Sequence, residues 1–128
     1  MFHHLPPSAE TELKHRLKLE TRGIPTPPAM LREPYSLGQG VALRIESEGL
    51  AAIRARQADA FSGLLAPQDM AGWRPHVTIQ NKVTAPEARA LLTAMRASFH
   101  ARPLAITGLA AWWYRGGSWE PLSRHMFG

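Results

Sequence analysis

A histidine and a threonine two residues apart are the side chains of this sequence best suited to carry out chemistry. They lie in the stretch RPHVTIQNK, residues 74–82. Apolar and polar residues alternate there, which predicts a short strand with its polar groups on one face. That face would carry His76, Thr78 and Gln80. Such a face is either simply hydrated, or its groups converge on a polar ligand.

These two residue types suit proton transfer and hydrogen bonding to a polar ligand. Imidazole has a pKa of about 6.5, so a histidine can act as base or acid at neutral pH. A displacement that takes a proton from the nucleophile and gives one to the leaving group needs a base and an acid on opposite sides of the reacting centre. The hydroxyl of Thr78 could donate a hydrogen bond to an oxygen of the ligand. Because His76 cannot serve both sides in one step, a complete site for such a reaction needs a second proton-transfer group.

Composition limits the class of protein and the kind of site. The chain has 128 residues, 45% of them hydrophobic, which is enough for one domain with a core. It has no cysteine, which excludes disulfides, thiolate metal ligands and a cysteine nucleophile. Its net charge of +5 allows a phosphate-bearing partner without requiring one. No apolar run reaches about 20 residues and no signal pattern is visible, so we expect a cytoplasmic protein without membrane contact.

Hydrophobic periodicity and turn residues predict three helices and five strands. The first helix is expected over residues 8–21 with Ser8 as its N-cap, and the second over 49–65. A capping box at Thr84-Ala85-Pro86-Glu87 opens the third, which ends before Arg102-Pro103. Strands are expected over residues 29–37, 41–45, 76–80, 104–114 and 119–127, with glycine turns at 38–40 and 116–117.

The order helix, strand, glycine turn, strand occurs twice along the chain. This repeat predicts an α+β fold with two lobes related by a pseudo-twofold axis, each an antiparallel sheet backed by helices, around a central cleft. We expect a single domain over residues 1–128. Its first lobe would span about 1–48, its connecting helix about 49–65 and its second lobe about 66–128.

Within this layout, the stretch RPHVTIQNKV resembles the second signature of the 2H phosphoesterase superfamily, and more narrowly that of its 2′-5′ RNA ligase-like branch. Members of that family carry two His-x-Thr/Ser motifs that face each other across a cleft between two lobes. The resemblance implies hydrolysis or formation of phosphodiesters at ribose 2′ and 3′ positions, without a metal or other cofactor. It makes His76 and Thr78 the catalytic residues, and RNA ends or 2′,3′-cyclic nucleotides the substrates.

The start of the sequence departs from that family pattern. Members usually begin with a strand that bears the first His-x-Thr, and Met1–Pro7 resembles only the tail of that strand and its loop. The expectation is therefore an N-terminally truncated member with impaired turnover. Its first sheet would keep an exposed edge through which chains could self-associate. His3 or His4 could instead replace the missing histidine, although Pro6 stands where a hydroxyl is needed.

Other residues could bind substrate beside the catalytic pair. The candidates are Arg74, Trp113, Tyr114, Arg115 and His4. Strand alternation puts Trp112 with Tyr114 on one sheet face and Trp113 with Arg115 on the other. We expect one of these faces to be core under the last helix, while the other could stack a base. Packing within the core and the hairpin is the alternative use of these rings.

Other kinds of site have less support in the sequence. His3, His4 and His76 lack the spacing of a zinc site. There is neither a Gly-x-Ser-x-Gly motif nor a glycine-rich phosphate loop. Two classes of function stay open: an enzyme of the 2H type, and a non-catalytic RNA- or phosphate-binding module derived from the same fold.

Overall fold

A computed structural model describes all 128 residues as a mixture of helices and antiparallel sheets, which confirms the α+β class. The helices are α1 (Glu10–Thr21), α2 (Glu48–Ala60), α3 (Pro67–Met70) and α4 (Ala85–Ser98). The strands are β1 (Met30–Ser36), β2 (Val41–Glu46), β3 (His76–Gln80), β4 (Arg102–Pro103), β5 (Gly108–Tyr114) and β6 (Trp119–Met126). A short 3-10 turn, Pro7–Ala9, precedes α1. No helix has the length and apolar character needed to cross a membrane.

The middle of the chain forms a four-stranded antiparallel sheet in the order β3-β2-β1-β4. β1 and β2 make a hairpin whose turn contains Gly38 with a φ of 89°, a conformation that glycine adopts readily. α4 packs against β1 and β2 and buries Ala88 and Leu92. Because the helix covers one side of the sheet, the other side is left to polar side chains.

The two ends of the chain meet at a second, two-stranded sheet formed by β5 and β6. α1 packs against both of these strands. The core beneath them is a cluster contributed by α1, α2 and β5. Its members are Leu17, Leu50, Ile53, Leu109 and Ala111. The last residue is tied to the end of α1, since the Gly128 N–H donates to the Ile24 carbonyl at 2.8 Å.

The sequence predicted two consecutive lobes, about 1–48 and 66–128, but the strands of the structure pair across that division. β3 pairs with β2, so the strand expected in the second lobe belongs to the sheet of the first hairpin. The expected strand 104–114 is interrupted, because β4 joins the four-stranded sheet and β5 joins β6. The buried face of β5 lies under α1 and α2, not under the last helix as expected. Alternation predicts which face of a strand is buried but not which strand lies beside it.

The four-stranded sheet, which contains the first hairpin, has open edges on both sides. β2 is paired on both sides, whereas β4 pairs with β1 only at Met30 and Leu31. The edge strands are β3 and the short β4, beyond which the rest of β1 has no neighbour, and both strands of the β5–β6 sheet. Self-association through an edge remains a prediction.

Hydroxyl side chains begin two of the helices. The Ser47 hydroxyl accepts a hydrogen bond from the Leu50 N–H at 3.2 Å and donates to the Pro28 carbonyl at 2.8 Å. Thr84 caps α4 by accepting from the Glu87 N–H, as its capping box predicts. Ser8 does not cap α1, because the 3-10 turn moves the start of the helix and leaves Ala9 at the N-cap.

Replacing Ser47 and Ser8 by alanine should distinguish a serine that caps a helix from one that does not. Ser47→Ala removes two hydrogen bonds at a buried position and should lower the free energy of unfolding by about 1–2 kcal/mol. Ser8→Ala, at an exposed position, is the matched control and should change it by less than about 0.5 kcal/mol. Urea unfolding of both variants measures the difference, and equal losses would contradict the capping role.

Candidate functional site

β3 holds the candidate catalytic pair at the edge of the four-stranded sheet. Its register places His76 opposite Arg44 and Thr78 opposite Ala42. Directly opposed residues share a face, and residues two apart on one strand lie about 6.5–7 Å apart along it. The Ile45 N–H donates to the Pro75 carbonyl at 3.0 Å and fixes the entry to β3. His76 and Thr78 therefore point to the same side of the sheet, and both are exposed.

A hydrogen bond within the motif orients the His76 ring. Its Nδ1 lies 2.7 Å from the Arg74 carbonyl oxygen, which can only accept, so Nδ1 carries a proton and donates. The ring also meets Tyr35 edge-on, with 6.2 Å between centroids and 85° between planes. In neutral His76 the free lone pair is therefore on Nε2. Nothing within the chain bonds to Nε2, so it can exchange a proton with a ligand.

Charged residues cover the same face of the sheet in pairs. The Arg44 Nε lies 2.7 Å from a carboxylate oxygen of Glu33, and this hydrogen bond lowers the pKa of Glu33 and raises that of Arg44. Arg32 lies 2.9 Å from Glu46, and its hydrogen bond lowers the pKa of that carboxyl group. These arginines are largely neutralised by their partners.

Arg74 differs from them because it forms no salt bridge. Its guanidinium lies 5.8 Å from the centre of the Tyr35 ring. It lines a cavity of about 370 Å³ whose wall includes Pro75 but neither His76 nor Thr78. The lining residues are Glu33, Tyr35, Arg44, Ile45, Trp73, Arg74 and Pro75. Tyr35 also contacts the His76 ring, so Arg74 is a cation without an acidic partner near that ring, as an anion site requires.

The other candidate residues lie in a different place. His4, Trp113 and Tyr114 line a larger cavity of about 430 Å³ between the N-terminal segment, α1 and β5. Arg115 lies over the Trp113 ring at 5.4 Å and pairs with Glu120 at 3.3 Å. The structure therefore places Arg74 and the His76 ring against the same Tyr35 ring, and groups His4 with the aromatic hairpin.

A buried carboxylate that the sequence did not reveal holds the N-terminal segment. Asp69 is 1% exposed and accepts from the His3 ring Nδ1 at 2.7 Å and the His3 N–H at 3.0 Å, as well as from the His4 N–H at 3.3 Å. Burial alone would raise the pKa of Asp69, but the hydrogen bonds from His3 and His4 outweigh it, and the pKa lies below its usual value. Arg54 donates to the Asp69 carbonyl.

No sequence pattern predicted that Asp69 would be buried. It lies in α3, which has four residues and no hydrophobic period. His3 and His4 drew attention as substitutes for a catalytic histidine, whereas the structure uses the backbone of both, and the ring of His3, to anchor the segment. This buried carboxylate depends on a partner far away in the sequence, here 66 positions away.

The sequence was compared with models of known protein families. A family model described as the 2′-5′ RNA ligase superfamily matches residues 1–118. The chain belongs to this superfamily. The 2′-5′ RNA ligase superfamily is the 2H phosphoesterase superfamily, so the family membership predicted from RPHVTIQNKV is confirmed. The match ends at Ser118 in the β5–β6 turn and therefore includes the whole of β3. The searches of curated proteins and of solved structures gave no match.

Asp69 should contribute to stability in a pH-dependent way. A carboxyl group whose pKa is lower in the folded chain stabilises the fold above its ordinary pKa, near about 4, and this contribution is lost as the pH falls through the folded pKa. Asp69→Asn should lower the free energy of unfolding by about 1–3 kcal/mol at neutral pH, and the difference should shrink in acid. Asp59→Asn, at an exposed position of α2, is the control. A difference that stays constant across urea titrations at several pH values would contradict the assignment.

The tautomer of His76 is a second test of the geometry. Long-range ¹H–¹⁵N spectra of the neutral ring should show the proton on Nδ1 and a bare Nε2. His15, an exposed histidine of α1, provides the reference in the same spectrum. A proton found on Nε2 would mean that the bond to the Arg74 carbonyl does not form in solution.

Proposed function

We propose that the chain is an enzyme of the 2′-5′ RNA ligase and 2′,3′-cyclic phosphodiesterase type, which acts on RNA ends or cyclic nucleotides without a metal. The observation that carries the proposal is the His76 ring, whose Nδ1 donates to the Arg74 carbonyl and whose Nε2 has no partner within the chain, on an exposed strand face that also carries Thr78. Membership of the superfamily supports the choice of substrate class. A cytoplasmic location, expected from the sequence, is part of the same proposal.

In this mechanism His76 moves the proton and its neighbours hold the phosphate. As a base, Nε2 takes the proton of a water molecule while the water oxygen forms a bond to phosphorus and a ribose oxygen leaves. Attack by a 5′-hydroxyl in place of water would join two RNA ends. The Thr78 hydroxyl donates to a non-bridging oxygen, and the Arg74 guanidinium offsets the negative charge. The leaving ribose oxygen needs a proton from the opposite side.

Only one His-x-Thr/Ser motif is present in the 128 residues, and this observation favours a second reading. With one such histidine, either the base or the acid would be water, and turnover would be slow. A chain with slow turnover could still bind RNA ends or phosphate through His76, Thr78 and Arg74. The alternative function is therefore a non-catalytic RNA- or phosphate-binding module.

Hydrolysis of a 2′,3′-cyclic nucleotide by four versions of the chain tests the assignment. His76→Ala should lower kcat/KM by about 10²–10⁴-fold, the usual worth of a general acid or base. Thr78→Val should lower it about 10²-fold through loss of one donor to the developing charge. His15→Ala on α1 should match the wild type. Measurable hydrolysis that survives His76→Ala would overturn the role of this histidine.

A designed N-terminal extension distinguishes the enzyme from the binding module. Adding a strand with a second His-x-Thr motif should raise the hydrolysis rate by at least about 10²-fold if a missing acid limits the reaction. The matched control carries Ala-x-Thr in the same strand. If both extended chains and the original hydrolyse the substrate equally well, the single-motif argument fails. If none does while all bind the nucleotide, the binding module is the correct reading.

A further inference from the structure

The two-stranded sheet exposes an aromatic face that the catalytic proposal does not use. Cross-strand pairs place Trp112 opposite Pro121 and Tyr114 opposite Trp119 on one side of the hairpin. We call this side the outer face, and its members are Ala110, Trp112, Tyr114, Trp119, Pro121, Arg124 and Met126. Trp112, Tyr114 and Trp119 are 47%, 58% and 59% exposed. The opposite side, with Leu109 and Ala111, is buried on α1 and α2.

This exposure is unusual for three large aromatic rings. Apolar rings left together in water on a folded domain generally mark a binding surface. Tyr114 and Trp119 lie with ring centres 4.8 Å apart and planes inclined by 44°, so they form one continuous patch. The next pair on the same face, Trp112 with Pro121, follows about 6.5–7 Å along the strands. The rings thus form a row of flat surfaces.

The charges on this face select the kind of partner. Arg124 stands opposite Ala110, one pair further along the same face, and forms no salt bridge. Arg115, at the other end of the hairpin, lies over Trp113 and pairs with Glu120 at 3.3 Å, so Arg124 is the unpaired cation of this face. None of the seven outer-face residues is acidic. Aromatic rings next to an unneutralised arginine are a combination that binds single-stranded nucleic acid, in which bases stack and phosphates pair with cations.

We propose that the outer face is a stacking platform for unpaired bases of an RNA strand, with Arg124 holding a backbone phosphate. This inference rests on the proposed function, and it specifies the substrate as a strand with several nucleotides rather than a mononucleotide. The assignment moves stacking from Trp113 to Trp112, because Trp113 shares the inner face with the core.

Binding of a fluorescein-labelled oligouridylate tests the platform. It is measured in the His76→Ala chain, so that nothing is consumed and the result does not depend on His76 acting in catalysis. Trp112→Ala and Trp119→Ala should each weaken binding about tenfold or more, since base stacking is sequence-tolerant but strong. Arg124→Ala should weaken it and reduce the slope of log affinity against log salt by about 0.7. The same strand in a duplex should bind less tightly.

Matched variants elsewhere on the surface control for loss of apolar area and of charge. Leu19→Ala removes an exposed apolar side chain from α1, and Arg96→Ala removes an exposed cation from α4. Both should bind RNA like the parent. Equal effects of platform and control variants, or equal binding of single strand and duplex, would overturn the proposal. So would sedimentation showing that the face joins two protein chains and that Trp112→Ala separates them.

Failure of the platform and failure of the proposed function give different results. If the platform is wrong, the Trp112 and Trp119 variants bind RNA normally, whatever His76 does. If the catalytic proposal is wrong, His76→Ala leaves hydrolysis unchanged, whatever the aromatic rings do.

Discussion

The pairing of β3 with β2 is the constraint on which the candidate site depends. β3 has five residues, lies at a sheet edge and has most of its side chains exposed, so it contributes little burial of its own. Its position comes from backbone hydrogen bonds to β2, whose Val41 and Ala42 are completely buried. Pairing with the buried strand β2 therefore holds the exposed strand β3 in place. The side chains of His76 and Thr78 can stay in solvent because the burial takes place one strand away.

The orientation of His76 adds a second, local constraint to this pairing. The carbonyl of Arg74 is part of the motif itself, so the ring is held by the chain two residues before it. The arginines on the sheet face are mostly engaged by glutamates, and this leaves Arg74 as the cation available next to the ring. Neutralised pairs around one free charge limit the positions at which an anion is attracted.

Local features of this fold could be predicted from the sequence, and long-range ones could not. The alternation around Val77 predicted β3, and the Thr84 capping box predicted the start of α4, because both depend on neighbours in the chain. The pairing of β3 with β2 depends on which strand lies alongside, and alternation contains no information about that. Ser8 has the chemistry of an N-cap, yet a 3-10 turn at Pro7–Ala9 moves the helix start past it. Asp69 could not be found because its partners His3 and His4 lie 66 and 65 positions away in the sequence.

The chain contributes to the second sheet's core at both ends, and this affects how the protein folds during its synthesis. Leu17 packs in the same cluster as Leu109, although roughly ninety positions separate them, and the four-stranded sheet forms from the residues in between. During synthesis α1 leaves the ribosome early and can meet α2, but the cluster that buries Leu17 is complete only when β5 follows. Its long-range contacts also carry a large loop-closure entropy, which slows folding. The central strands β1, β2 and β3 can pair before the first helix is fully buried, so the segment that contains α1 is the part most dependent on protection while translation continues.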